Sequence, residues 1–111
     1  MHKEKRGLRF EFTADAEVRA QGATTGTRGR VKELSLRGCF VEASGDFAEH
    51  QRVRAKIFQA DECLETFADV IYVRPDGLGL LFAEMTPEVR GVLQEWVLKA
   101  LDRQAEEVPA T

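Results

Sequence analysis

Arg52-Val53-Arg54-Ala55-Lys56-Ile57-Phe58 alternates well: Val53, Ala55 and Ile57 fall on one face, Arg52, Arg54 and Lys56 on the other. Side chains point to opposite faces in turn along a strand, so the stretch predicts a strand with one buried and one wet side. Toward the C-terminus, Asp61 and Glu62 mark an expected hairpin turn, and residues 66–73, rich in β-branched and aromatic types, predict a long strand. Arg74-Pro75-Asp76-Gly77 reads as a tight turn, with Pro75 presetting φ and Gly77 tolerating a positive φ. Residues 78–83 read as the strand that follows.

The period then changes. Thr86 suits an N-cap, Pro87 the first helical position, and Glu88 the positive end of the helix dipole. Val89, Val92, Leu93, Trp96, Val97, Ala100 and Leu101 recur at three and four residues, which predicts an amphipathic helix over about 86–103. Its apolar stripe is expected to pack on the chain's own core, with Trp96 as an anchor. Toward the N-terminus, residues 39–43 predict a short strand, 33–38 a turn or bulge, 27–34 a strand, 21–26 a glycine-containing loop and 10–20 a strand. Short strands with regular turn signals, then one helix, give an all-β fold with a C-terminal helix, a small barrel or sandwich. The division expected is a basic flexible arm over 1–9, one domain over 10–103 and a tail over 104–111.

Composition narrows the function. Of 111 residues, 43% are apolar and 32% charged, the balance of an ordinary water-soluble domain. Neither a secretory leader nor an apolar run of membrane-spanning length is visible, so a cytoplasmic protein is expected, without membrane insertion. Net charge is −3, which argues against a nucleic acid polymer as partner. The cations are nonetheless clustered: Lys3, Lys5, Arg6 and Arg9 stand against Glu4 alone, and Arg28, Arg30, Lys32 and Arg37 against Glu33 alone. Such clusters either focus potential on a small anion or point apart into solvent. No nucleophile–base set, metal-spaced cluster or phosphate loop can be assembled, so neither an enzyme nor a metal or cofactor site is expected. Cys39 and Cys63 read as reduced thiols in or near the core, His2 as part of the arm and His50 as a turn residue.

Two segments stand out together: Lys5-Arg6-Gly7-Leu8-Arg9-Phe10 and Glu33-Leu34-Ser35-Leu36-Arg37-Gly38-Cys39-Phe40-Val41. They resemble the two signatures of the PilZ family, an R-x-x-x-R arm before the barrel and a [D/N]-x-S-x-x-G turn between its second and third strands. Val73 to Phe82, with its Arg-Pro-x-Gly turn, and Thr86-Pro87-Glu88 extend the resemblance to nearly the whole chain. It implies a six-stranded antiparallel β-barrel capped by an amphipathic α-helix. It also implies a bacterial receptor or adaptor for the second messenger cyclic di-GMP that passes binding on to a protein partner.

The resemblance also implies a site: Lys5, Arg6, Arg9, Glu33, Ser35, Arg37 and Gly38. The residue types suit the ligand. A guanidinium fork meets guanine O6 and N7 together and also pairs with phosphate, and a carboxylate accepts from the guanine N1–H and amine. The chain departs from the pattern twice, with Lys5 for the first arginine and Glu33 for the Asp or Asn. Lysine lacks the planar fork, and glutamate reaches one methylene further. A domain that has lost the nucleotide and acts through protein contacts is therefore the alternative. Ser35 and Gly38 either touch ligand or shape a bulge, and Arg37 faces either ligand or solvent. The oligomeric state expected is a monomer or weak homodimer.

Overall fold

The computed structural model describes residues 10–107. Six strands, β1 (Phe10–Ala20), β2 (Thr27–Leu34), β3 (Gly38–Glu42), β4 (Arg52–Gln59), β5 (Glu62–Arg74) and β6 (Gly77–Ala83), precede one helix, α1 (Pro87–Glu107). The strands close into a barrel in the order β1-β2-β3-β6-β5-β4, every pair antiparallel. The β1–β4 pairing closes the ring, with Ala16 opposite Ile57 and Val18 opposite Ala55. Closure leaves the six described strands without a free sheet edge. Val53, Ala55 and Ile57 of the alternating stretch all point inward and are buried.

Two of the three outward cations of β4 meet carboxylates. Arg52 donates to Asp69 at 2.7 Å and to Glu84 at 2.9 Å, Arg54 pairs with Glu65 at 3.3 Å, and the Arg54 guanidinium lies 4.6 Å from the Phe67 ring centroid. Partly exposed pairs of this kind contribute little stability, but they neutralise that wall of the barrel.

Three bulges break the simple alternation, between Glu11 and Ala14 in β1, Val31 and Glu33 in β2, and Val70 and Tyr72 in β5. A bulge inserts an unpaired residue and re-aims the side chains beyond it. Val31 and Leu34 are thus both buried although three residues apart. In β5, Val70 is buried, but Tyr72, two residues along, is not, because Ile71 is the extra residue between them.

The helix closes the core. Thr86 Oγ1 accepts from the Val89 N–H at 3.2 Å, the expected cap. Leu93, Trp96, Val97 and Ala100 are buried, Trp96 stacks on Phe12 at 5.8 Å, and its Nε1–H donates to Glu62 Oε1 at 2.7 Å.

Several details differ from the sequence reading. Leu101 is 41% exposed, because its position on the helix turns away from the barrel. The helix runs to Glu107 rather than ending near residue 103. The β4–β5 turn sits one residue earlier than expected, at Ala60-Asp61, with Ala60 at φ +55°. Strand β5 starts at Glu62, and alternation with the buried Leu64 and Thr66 places Cys63 outward and exposed, not in the core. Gly77 does not have a positive φ. It is needed because a Cβ there would strike the Val41 carbonyl oxygen and approach Phe40 Cζ to 2.8 Å. Cys39 is buried as expected, and burial pushes its thiol up to about 12.

Candidate functional site

The turn from β2 to β3 is built by Ser35. The Ser35 N–H donates to the Gly38 carbonyl at 2.9 Å. The Ser35 hydroxyl accepts from the Arg37 N–H at 3.1 Å and the Gly38 N–H at 3.2 Å, and donates to Gly38 O at 3.3 Å. A serine hydroxyl has one proton to give and two lone pairs to receive, and here all three are engaged. Ser35 is 9% exposed, so the turn is held from inside. Gly38 answers a different need. Its φ is not positive, but a Cβ would collide with Leu80 O, because β3 and β6 come together at the Gly38–Leu81 pair. The close approach it permits is to the barrel's own backbone.

Arg37 is held by its backbone on both sides. Its N–H binds Ser35 Oγ, and its carbonyl accepts from the Phe82 N–H at 2.8 Å. Its side chain is exposed and makes no salt bridge among the described residues. A fixed backbone carrying an exposed guanidinium is a suitable presenter of a fork to an anion or a base edge.

Glu33, Ser35, Arg37 and Gly38 line one cleft of about 260 Å³ on the outer wall of the barrel. The structure therefore brings these four expected residues together. Lys5, Arg6 and Arg9 lie outside the described residues. Strand β1 begins at Phe10, paired with Leu34, so the chain enters the barrel beside the Ser35 turn.

The rest of the cleft comes from strands remote in sequence. Phe40 of β3, Ile71 and Tyr72 of β5 and Leu81 of β6 supply side-chain walls. In register, Phe40 and Tyr72 both sit opposite Gly79 of β6, and their rings stack across it at 6.3 Å and 23°. The Arg74 guanidinium lies 4.5 Å from the Tyr72 ring centroid. Beyond this pair a second, more polar hollow of about 290 Å³ is lined by Lys32, Glu42, Arg74 and Asp76 together with Glu33, Phe40 and Tyr72. None of these additional residues was singled out from the sequence as a site residue. The period of two does place Tyr72 and Arg74 on one face, but joining them to Phe40 requires the β3-β6-β5 strand order.

Half-buried rings, an exposed guanidinium and a carboxylate around one hollow can stack a planar heterocycle and bind its polar edge. No group of metal-binding side chains occurs among the described residues. No described helix is long and apolar enough to cross a membrane.

The chain matches the PilZ domain family over residues 3–99. Its fold is similar to that of the Bacillus subtilis inhibitor of motility MotI/DgrA, with TM-score 0.77 and 18% identity over 97% of this chain and 55% of that one. It is also similar to the PilZ domain of Escherichia coli YcgR with c-di-GMP, at TM-score 0.76 and 15% identity over 96% of this chain and 100% of that one. The YcgR chain solved in complex with c-di-GMP matches at TM-score 0.74 and 20% identity, over 95% of this chain and 49% of that one. The present chain thus spans about half the length of MotI and of that YcgR chain. No curated protein sequence matches it. Matched along most of its length and built as a closed six-stranded antiparallel barrel with one C-terminal helix, the chain belongs to the PilZ domain family.

Proposed function

We propose that this domain is a non-catalytic cytoplasmic receptor that binds cyclic di-GMP in the cleft beside the Ser35 turn and passes the binding on to a protein partner. The observation that carries the reading is a convergence. The Glu33–Gly38 turn, whose pattern points to this ligand, lines the same cleft as the Phe40 and Tyr72 rings, at the point where the chain enters β1. In this reading Tyr72 and Phe40 offer a stacking surface to a guanine, Arg37 meets a phosphate or the O6/N7 edge, and Glu33 accepts from N1–H and the amine. Lys5, Arg6 and Arg9 bring further positive charge to the phosphates. Ser35 and Gly38 act by shaping the turn.

Titration of the chain with cyclic di-GMP by calorimetry tests this, beside Arg9→Ala and Arg37→Ala. Saturable binding, weakened at least ten-fold in each variant, is expected. No heat from folded protein at high ligand concentration refutes it. The second reading would then take over, a PilZ barrel whose Lys5 and Glu33 no longer support the nucleotide. Its protein contacts would draw on the exposed Ile71 and Leu81, which line the cleft, and on the exposed Leu36 of the turn.

A further inference from the structure

We infer that Gly79 is a positioning residue for ligand binding, acting through Tyr72; the inference rests on the nucleotide-binding reading above. Gly79 sits in the middle of β6, where a strand ordinarily favours β-branched or aromatic side chains. Its φ is not positive, so its backbone does not demand glycine. What demands it is the Tyr72 ring. A Cβ built on Gly79 would fall onto three atoms of that ring, Cε2, Cζ and Cδ2, closer than real contacts allow.

The bulge between Val70 and Tyr72 sets Tyr72 opposite Gly79, and the glycine lets the ring lie down on the sheet. Lying there, the ring stacks on Phe40, carries the Arg74 guanidinium, and walls the ligand cleft on one side and the polar hollow on the other. Any side chain at residue 79 must lift the ring or push it sideways, and either movement changes the surface offered to a base. An aromatic ring laid over a strand glycine is also a known sheet-stabilising device. That role alone would tie residue 79 to stability and leave affinity untouched.

The test is a double-mutant cycle read in cyclic di-GMP affinity, using the full chain and its Gly79→Ala, Tyr72→Ala and double variants, each with a thermal melt. Gly79→Ala is expected to weaken binding ten-fold or more. In the Tyr72→Ala background the same change should alter affinity less than two-fold, because the ring it displaces is gone. A Gly79→Ala variant that binds like the parent overturns the inference, and so do independent losses that multiply in the double variant. Either leaves the nucleotide-binding reading standing. A parent chain that does not bind the nucleotide overturns both. Should Gly79→Ala fail to fold, NMR of the unmutated chain decides. Saturating cyclic di-GMP must shift the Tyr72 ring protons and the Gly79 Hα under them, and unmoved signals in a chain that binds refute the role.

Discussion

Replacing Ser35 by alanine removes one hydroxyl and strands two backbone donors, the N–H groups of Arg37 and Gly38. The Gly38 N–H lies in a buried stretch, where water cannot take over, whereas Arg37 is an exposed residue and regains a partner more easily. A buried donor left unsatisfied costs about 1–3 kcal/mol, so a loss of about 2 kcal/mol is expected. For a domain of roughly 100 residues, 1 kcal/mol moves Tm by about 4–8 °C, so the melt should fall by roughly 10 °C. Ser35→Thr keeps the oxygen and should recover much of the loss. The assay is thermal and urea unfolding of the three chains, with cyclic di-GMP affinity measured well below each melt. Affinity should fall with Ser35→Ala because the turn that presents Arg37 loosens, and Ser35→Thr should restore it in step with stability. A Ser35→Ala chain that melts within about 2 °C of the parent would refute the structural account. If such a chain had also lost the ligand, the hydroxyl would be a direct contact that the turn does not need.

Gly38→Ala should be worse, because its Cβ meets the Leu80 carbonyl oxygen, part of the backbone, so β3 and β6 must separate; a loss of about 3 kcal/mol or more is expected in urea unfolding. Trp96→Ala removes a fully buried ring that stacks on Phe12 and holds Glu62, and should cost about 3–5 kcal/mol by the same measurement. Thiol labelling of the native chain should modify Cys63 rapidly and Cys39 only on unfolding, since Cys63 is exposed and Cys39 buried. The Cys39 thiol also sets an alkaline limit. Its folded value near 12 lies above its ordinary value of 9.0, so the folded state keeps a proton that the unfolded chain releases. Its contribution is therefore complete below pH 9 and is lost as pH rises toward 12; Cys39→Ala should flatten that part of the stability–pH curve.

The strand spans of β1 and β2, the two-residue turn at Pro75-Asp76 and the cap at Thr86 were legible in the sequence. Each is decided by neighbours a few residues away: a period of two, a ring that fixes φ, a hydroxyl three residues before the N–H it receives. Cys63 differs from the expectation because an apolar neighbourhood does not say which face a strand residue takes; alternation with the inward Leu64 turns it out. Leu101 was misread because helical periodicity defines a stripe wider than the surface the barrel covers. The candidate site was half legible. The Glu33–Gly38 turn is contiguous in sequence and could be read, whereas Tyr72, Arg74 and Gly79 reach Phe40 only through the barrel.

By itself the sequence determined most of the local conformations, the apolar face of β4 and most of the apolar stripe of α1, because backbone sterics, side-chain alternation and capping act over a few residues. It also determined the turn that carries the family's pattern. Only the tertiary structure decided the strand order, which sets β3 beside β6, and the three bulges, which choose the residues that turn outward. Those choices depend on closing a ring of hydrogen bonds around one shared core, a condition on all six strands together. For that reason the aromatic wall of the cleft belongs to the fold, and the Ser35 turn beside it to the sequence.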